Sequence, residues 1–185
     1  MNALLFWFSA GLATVWTLLA ACWWVVENAG FKSTWVNKPA DCSDKLLWLG
    51  CPVATYAFTA RVEALQEILM KSPPKCIVLS GNEEEVQECK KRLQVPQDIQ
   101  IELDTKGLRT YTSIANLPPS NQPTTIISHE FHLKRAAFIA TGLGKPVLLF
   151  PVGNPLGPWT SKSRWREAFA RLRAVTDRLF PPNEL

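Results

Sequence analysis

Two stretches of this chain carry the residue types that hold anions. The first is Asp104-Thr-Lys-Gly107-Leu-Arg109-Thr110-Tyr-Thr-Ser113, and the second is Thr124-Thr-Ile-Ile-Ser128-His129-Glu-Phe-His132-Leu-Lys-Arg135-Ala-Ala. Each reads as the end of a buried strand, a polar turn and the start of a helix. In an open α/β sheet such turns collect at the carboxyl edge of the strands, where ligands bind. Arg109 and Arg135 can each give charge-assisted, bidentate contacts to phosphate or carboxylate. His132 lies three residues before Arg135, so the two share a helix face. Asp104 either orients Arg109 or acts as a base, and His132 is the other candidate acid or base.

Three further turns complete the set: Gly50-Cys51-Pro52, Ser80-Gly81-Asn82 and Pro151 to Pro155. Glycine allows close approach of backbone to ligand. Helix N-termini offer free N–H groups to an anion. The candidate ligand-binding residues are therefore Gly50, Ser80, Gly81, Asn82, Gly107, Arg109, Thr110, Ser128, His132 and Arg135. Plainer roles stand beside these. Ser80 and Asn82 suit helix caps, Arg109 could pair with Asp104, and His132 could be a capping or core-edge residue. Two histidines without nearby acids make a poor metal site, so no metal is expected. The sequence has no G-x-x-x-x-G-K-[ST], no G-x-G-x-x-G after the first strand and no G-x-S-x-G elbow. It names no cofactor.

The elements that must position these groups follow from periodicity. Strands are expected at Lys45–Leu49, Cys76–Leu79, Gln100–Leu103, Thr124–Ser128 and Val147–Phe150. Helices are expected at Ala57–Lys71, Glu83–Leu93, Thr110–Leu117, His132–Gly142 and Lys162–Phe180. In Ala57–Lys71 the apolar residues Val62, Leu65, Ile68 and Leu69 have helical spacing. Glu83-Glu84-Glu85 and Lys90-Lys91-Arg92 match the dipole of the helix they bracket. Short apolar runs alternating with helices specify an α/β class. The expected architecture is a three-layer α/β/α Rossmann-like sandwich on a mostly parallel five-stranded sheet.

Ahead of this domain, Ala3 to Val26 is apolar apart from Ser9, Thr14 and Thr17. Roughly 20 such residues span a bilayer as a helix. Trp7, Trp16, Trp23 and Trp24 include residues near both ends, as in an interfacial aromatic belt. The segment lacks the basic start of a cleaved signal peptide. Leu19-Ala20-Ala21-Cys22 resembles a lipobox, but Trp23-Trp24-Val25-Val26 would leave a very apolar mature end. The division expected is residues 1–27 as a transmembrane anchor, 28–44 as a linker and 45–185 as the α/β domain. Lys32, Lys38 and Lys45 follow the span and weigh toward a cytoplasmic domain.

The chain has 185 residues, 47% of them hydrophobic, enough for one domain with a core. A net charge of +4 does not by itself suggest nucleic acid as a partner. Cys42 and Cys51 could pair in an oxidising compartment, which sequence leaves open. In the last helix, Lys162, Arg164, Arg166, Arg171, Arg173 and Arg178 read as a solvated face, with a surface on anionic lipid as the alternative.

The ordered combination D-x-x-G-x-R-T…S (Asp104 to Ser113) and F-H-x-x-R-A (Phe131 to Ala136), with Leu49-Gly50 and Ser80-Gly81, resembles the SanA/YdcF-like domain family and is most similar to its SanA-like members. The resemblance runs from about Lys45 to Pro155. It implies a Rossmann-like domain on a single inner-membrane anchor, usually facing the periplasm. It also implies a role in the envelope permeability barrier, or in handling peptidoglycan-type polysaccharide or its lipid carrier. The expected partners are the membrane and an anionic envelope precursor. Transferase or hydrolase action on a lipid-linked precursor and noncatalytic interaction are the alternatives. Some soluble relatives are associated with S-adenosylmethionine, but their matching residues are not clearly present here. The loop between Gly50 and Arg61 is shorter than the family's. Thr112 stands where SanA-like sequences often have Asp.

Overall fold

The computed structural model describes residues 2–153 and 161–182, with side chains from 6 to 153 and from 165 to 182. The elements run α1 (Asn2–Lys32), β1 (Thr34–Trp35), a 3-10 turn (Pro39–Asp41), β2 (Lys45–Leu49), α2 (Tyr56–Lys71), β3 (Cys76–Ser80), α3 (Glu83–Arg92), β4 (Gln100–Asp104), α4 (Thr110–Ala115), β5 (Thr124–His129), α5 (Glu130–Gly142), β6 (Val147–Val152) and α6 (Ser161–Leu179). The strands form one sheet in the order β1-β6-β5-β2-β3-β4, and every pair is parallel. The α/β class and helix-flanked parallel sheet are as expected. The sheet has six strands rather than five because Thr34–Trp35 adds to the edge of β6.

Alternation along the central strands sorts the core into two layers. Leu46 and Trp48 pack with Phe58, Leu65 and Ile68 of α2 and Val86 of α3. Leu47 and Leu49 pack with Ile114 of α4, Leu133 and Ala137 of α5 and Ala174 of α6. Each end of a helix has a local cause. Asn82 and Glu85 form a reciprocal capping box on α3. After α5, Gly144 takes a left-handed φ of 64°, which lets the Lys145 amide return to Ala140.

Helix α1 is long and apolar enough to cross a membrane, with a mean hydropathy of 1.6 over its best window. Phe6, Trp7, Phe8 and Trp16 stand exposed along it. Its last turns dock on one side, while Trp24 and Phe31 stay exposed on the other. Val26 is fully buried in the core, and Glu27 pairs with both Lys134 of α5 and Arg171 of α6. The stretch 28–44, expected to be a linker, continues the helix to Lys32, supplies β1 and donates the Val36 amide to Leu149. Glu27, the first charge after the apolar run, finds partners on α5 and α6, and Thr34–Trp35 pairs with β6, so this stretch docks on the domain.

Candidate anion-binding cavity

The sheet reverses its winding between β2 and β5. The chain proceeds outward through β3 and β4 on one side and through β6 on the other. Above that reversal a crevice opens at the carboxyl edge, as the geometry of doubly wound sheets requires. Register lines up Leu49, Ser80 and Asp104 across β2, β3 and β4. A cavity of about 470 Å³ lies there, walled by the loops after β2, β3 and β4, the start of α5 and one face of α6.

Of the residues expected from sequence, Gly50, Ser80, Gly81, Asn82, Gly107, Arg109, Thr110, His132 and Arg135 all line this one cavity. Arg109 and Arg135, 26 residues apart in sequence, meet across it. Asp104 and Ser128 do not line it. The Asp104 carboxylate is held by the Ser80 hydroxyl at 2.7 Å and the Asn116 amide at 3.1 Å. Arg109 therefore does not pair with Asp104, and among the described residues its guanidinium has no carboxylate partner. Ser128 instead meets His132 Nδ1 at 2.9 Å, while Thr110 meets Nε2 at 2.8 Å. His132 keeps some residue-level exposure, yet both ring nitrogens are engaged by hydroxyls. Burial, then Arg135 and Arg61, push the imidazole well below its ordinary value, so the ring is neutral. Both candidate acid–base groups are engaged by other side chains: Asp104 by Ser80 and Asn116, and His132 by Thr110 and Ser128, which ties α4 to β5.

The expected glycine cradle is also different. The Gly50 amide donates to Ser80 and the Gly81 amide to Asp104, extending the ladder past the strands. The Asn82 amide donates to Glu85 Oε2 at 3.2 Å. These N–H groups are spent, so the Gly50 and Ser80-Gly81-Asn82 turns offer a ligand none of these three amides. The glycines matter for packing. A Cβ on Gly50 or Gly81 would strike the Glu85 carboxylate, and one on Gly107 would strike Ser80 Oγ and Asp104 Oδ2. Gly107→Ala is expected to cost about 1–3 kcal/mol, as overpacking does. Gly11→Ala, with nothing within 4 Å, should cost nothing comparable. Chemical denaturation of the two variants checks this contrast.

Sequence reading missed the central residue. Arg61 is 4% exposed and sits at the switch point itself. Its Nη1 donates to the carbonyls of Leu49 at 2.6 Å and Gly50 at 2.9 Å, and its Nε donates to His129 Nδ1 at 3.0 Å. It thus bridges the ends of β2 and β5. Among the described residues it forms no ion pair. Burial lowers its affinity for a proton, and Cys51 and Glu85 oppose this only from a distance. The available signal was a lone arginine on the apolar face of α2, between Phe58 and Leu65.

His129 is 1% exposed and neutral. Burial and the Arg61 charge bring its imidazole down to about 4. Because the unfolded chain takes a proton near pH 6.5 and the folded chain does not, this group's contribution is full above that value. It is lost as pH falls toward 4. Native protein should lose on the order of 2 kcal/mol between pH 7 and pH 5 from this group. His129→Asn keeps an acceptor for Arg61 without titrating. Denaturation at both pH values should show a smaller loss in the variant.

Helix α6 supplies the rest of the wall. Arg166 and Arg173 are exposed at the mouth, with Ala170 and Asp177 on the same stripe. Arg171, expected on a solvated face, is instead 1% exposed. It holds Glu167 at 3.1 Å and Glu27 at 2.8 Å and stacks 3.8 Å over Trp23. Glu167 in turn holds Arg135. Arg178 lies over the Phe138 ring. The side chains of Lys162 and Arg164, and the end of the Pro151–Pro155 turn, lie outside the described residues. Five arginines and three carboxylates, Glu85, Glu167 and Asp177, line the cavity among the described residues. Burial pushes the Cys51 thiol up, so it is a poor nucleophile. All five cysteines are free, Cys42 and Cys51 included. No cluster of three His, Cys, Asp or Glu side chains able to hold a metal exists among the described residues.

The fold and cavity define a doubly wound α/β domain with an arginine-lined pocket at the switch point, docked on a long apolar helix. No protein-family model, curated protein or solved structure matches the chain.

Proposed function

We propose that this chain is a membrane-anchored envelope factor that binds a phosphorylated envelope-polysaccharide or lipid-carrier precursor and thereby contributes to the permeability barrier. One observation carries the reading: Arg61 is a buried guanidinium at the switch point that, among the described residues, has no carboxylate in ion-pair contact. A buried cation is costly to leave unpaired, so a site built around one favours an anion. Arg109, with no carboxylate partner among the described residues, and Arg135, which is paired with Glu167, line the same cavity. The SanA/YdcF-like motifs support the same class of protein, and their inner-membrane, periplasm-facing arrangement is part of the proposal. A reporter fused after Leu185, active only outside the cell membrane, would support that orientation.

The engaged nitrogens of His132 and the sequestered Asp104 favour binding over acid–base turnover. The test uses the full chain in detergent, titrated with farnesyl phosphate as a prenyl phosphate monoester. Saturable binding that is lost in Arg109→Ala is the expected result. Absence of binding by the native chain would remove the reading. Release of inorganic phosphate would select the hydrolase alternative.

A further inference from the structure

We infer that the first turns of α6 are seated in the headgroup and upper acyl zone of an anionic bilayer, beside α1. The helix divides into stripes by its 3.6-residue period. Glu167, Arg171 and Ala174 face the domain and are buried. Arg166, Ala170 and Arg173 face the cavity. Trp165 and Phe169 point away from both, 48% and 61% exposed. The two rings pack on each other at 6.4 Å, and Trp165 reaches Trp16 of α1 at 5.8 Å.

The depth of that contact decides the partner. Along the same pair of helices, Arg171 meets Trp23 and Glu27. The charged level of the α1–α6 contact is therefore at residues 23 to 27. Trp16 lies seven residues back toward the apolar end, roughly 10 Å at 1.5 Å per residue. That equals the depth to which interfacial helices bury their apolar face, about 5–10 Å. If α1 spans, Trp165 cannot lie in water, and Phe169, packed against it, sits between that depth and the charged level. Aromatic residues with a basic neighbour such as Arg166 suit the headgroup zone. Leu179 and Phe180 are also exposed, but Arg173, Asp177 and Arg178 separate them from this patch.

The consequence for the ligand rests on the anion-binding reading above. Arg166 lies about 1.5 Å along the helix from Trp165, so the α6 rim of the cavity stands at the level of the lipid surface. The ligand class is an amphiphile whose phosphate enters while its chain stays in the bilayer.

The test is the full chain reconstituted in vesicles of phosphatidylcholine with a minority of phosphatidylglycerol, after flotation shows that it is bound. Native protein is compared with Trp165→Phe, using phosphatidylcholine brominated on the upper acyl chain or aqueous iodide as quencher. The expected emission lost on substitution is the part quenched by the bromolipid and spared by iodide. Phe169→Trp should add a second component of the same kind. Quenching of these components by iodide, no quenching by bromolipid, or failure to float with vesicles overturns the inference. Farnesyl phosphate binding in detergent should be equal in native protein and Trp165→Phe, so a failed membrane seat and a failed anion site give different results.

Discussion

Arg61→Gln is expected to weaken farnesyl phosphate binding by a factor of about ten or more, with the fold retained. A hydrogen bond to a charged group is worth about 1.5–3 kcal/mol, which converts to roughly 10- to 150-fold. Arg61 should sit at the upper part of that range, because it is buried and, among the described residues, no carboxylate forms an ion pair with it; Glu85 acts on it only from a distance. Glutamine keeps a donor for the Leu49 or Gly50 carbonyl but removes the charge and the fork. Arg61→Lys keeps the charge and should fall between native and glutamine, since a point charge does not reproduce bidentate contact. Titration calorimetry in detergent reads both variants, and thermal unfolding controls for the fold. Native-like affinity in Arg61→Gln would sink the assignment of this residue to the site.

The second large effect is on stability. Arg171→Met should destabilise the protein by about 3 kcal/mol, because one change takes a partner from two carboxylates. Removing one partner of a buried pair costs about 3–5 kcal/mol. The lower end applies because Glu167 keeps Arg135, and Glu27 keeps Lys134 and is 34% exposed. Methionine preserves the bulk over Trp23, so the loss reads mainly charge. Glu27→Gln in the Arg171→Met background should recover part of it, the coupling a double-mutant cycle measures. Hydrogen exchange should rise most in the last turns of α1, where the helix grips the domain. A change under about 0.5 kcal/mol, the range of ordinary surface substitutions, would show that α1 docks without this network.

These effects bear on how the parts cooperate. The chain Glu27–Arg171–Glu167–Arg135 runs from the apolar helix to the cavity wall. The same helix α6 therefore carries the contacts to α1 on one stripe and cavity arginines on the next. The end of α1 is a structural wall of the domain.

The alternation of apolar runs and helical spacing was enough to determine the α/β class and the five main strands, because burial on both sheet faces leaves near-continuous apolar strands that sequence records directly. The long apolar run likewise marked α1. The turn chemistry located most of the cavity, since residues at strand ends must share the carboxyl edge of a parallel sheet. What each polar group does there depended on partners distant in sequence. Asp104 lost its candidate role to Ser80 and Asn116, His132 to Ser128 and Thr110, and the glycine amides to neighbouring strand ends. Arg61 gained a role because α2 lays it across the ends of β2 and β5. Hydrogen-bond pairing and the burial of charge are properties of three-dimensional neighbours, so only the tertiary structure could decide which cations were already paired and which were left facing the cavity.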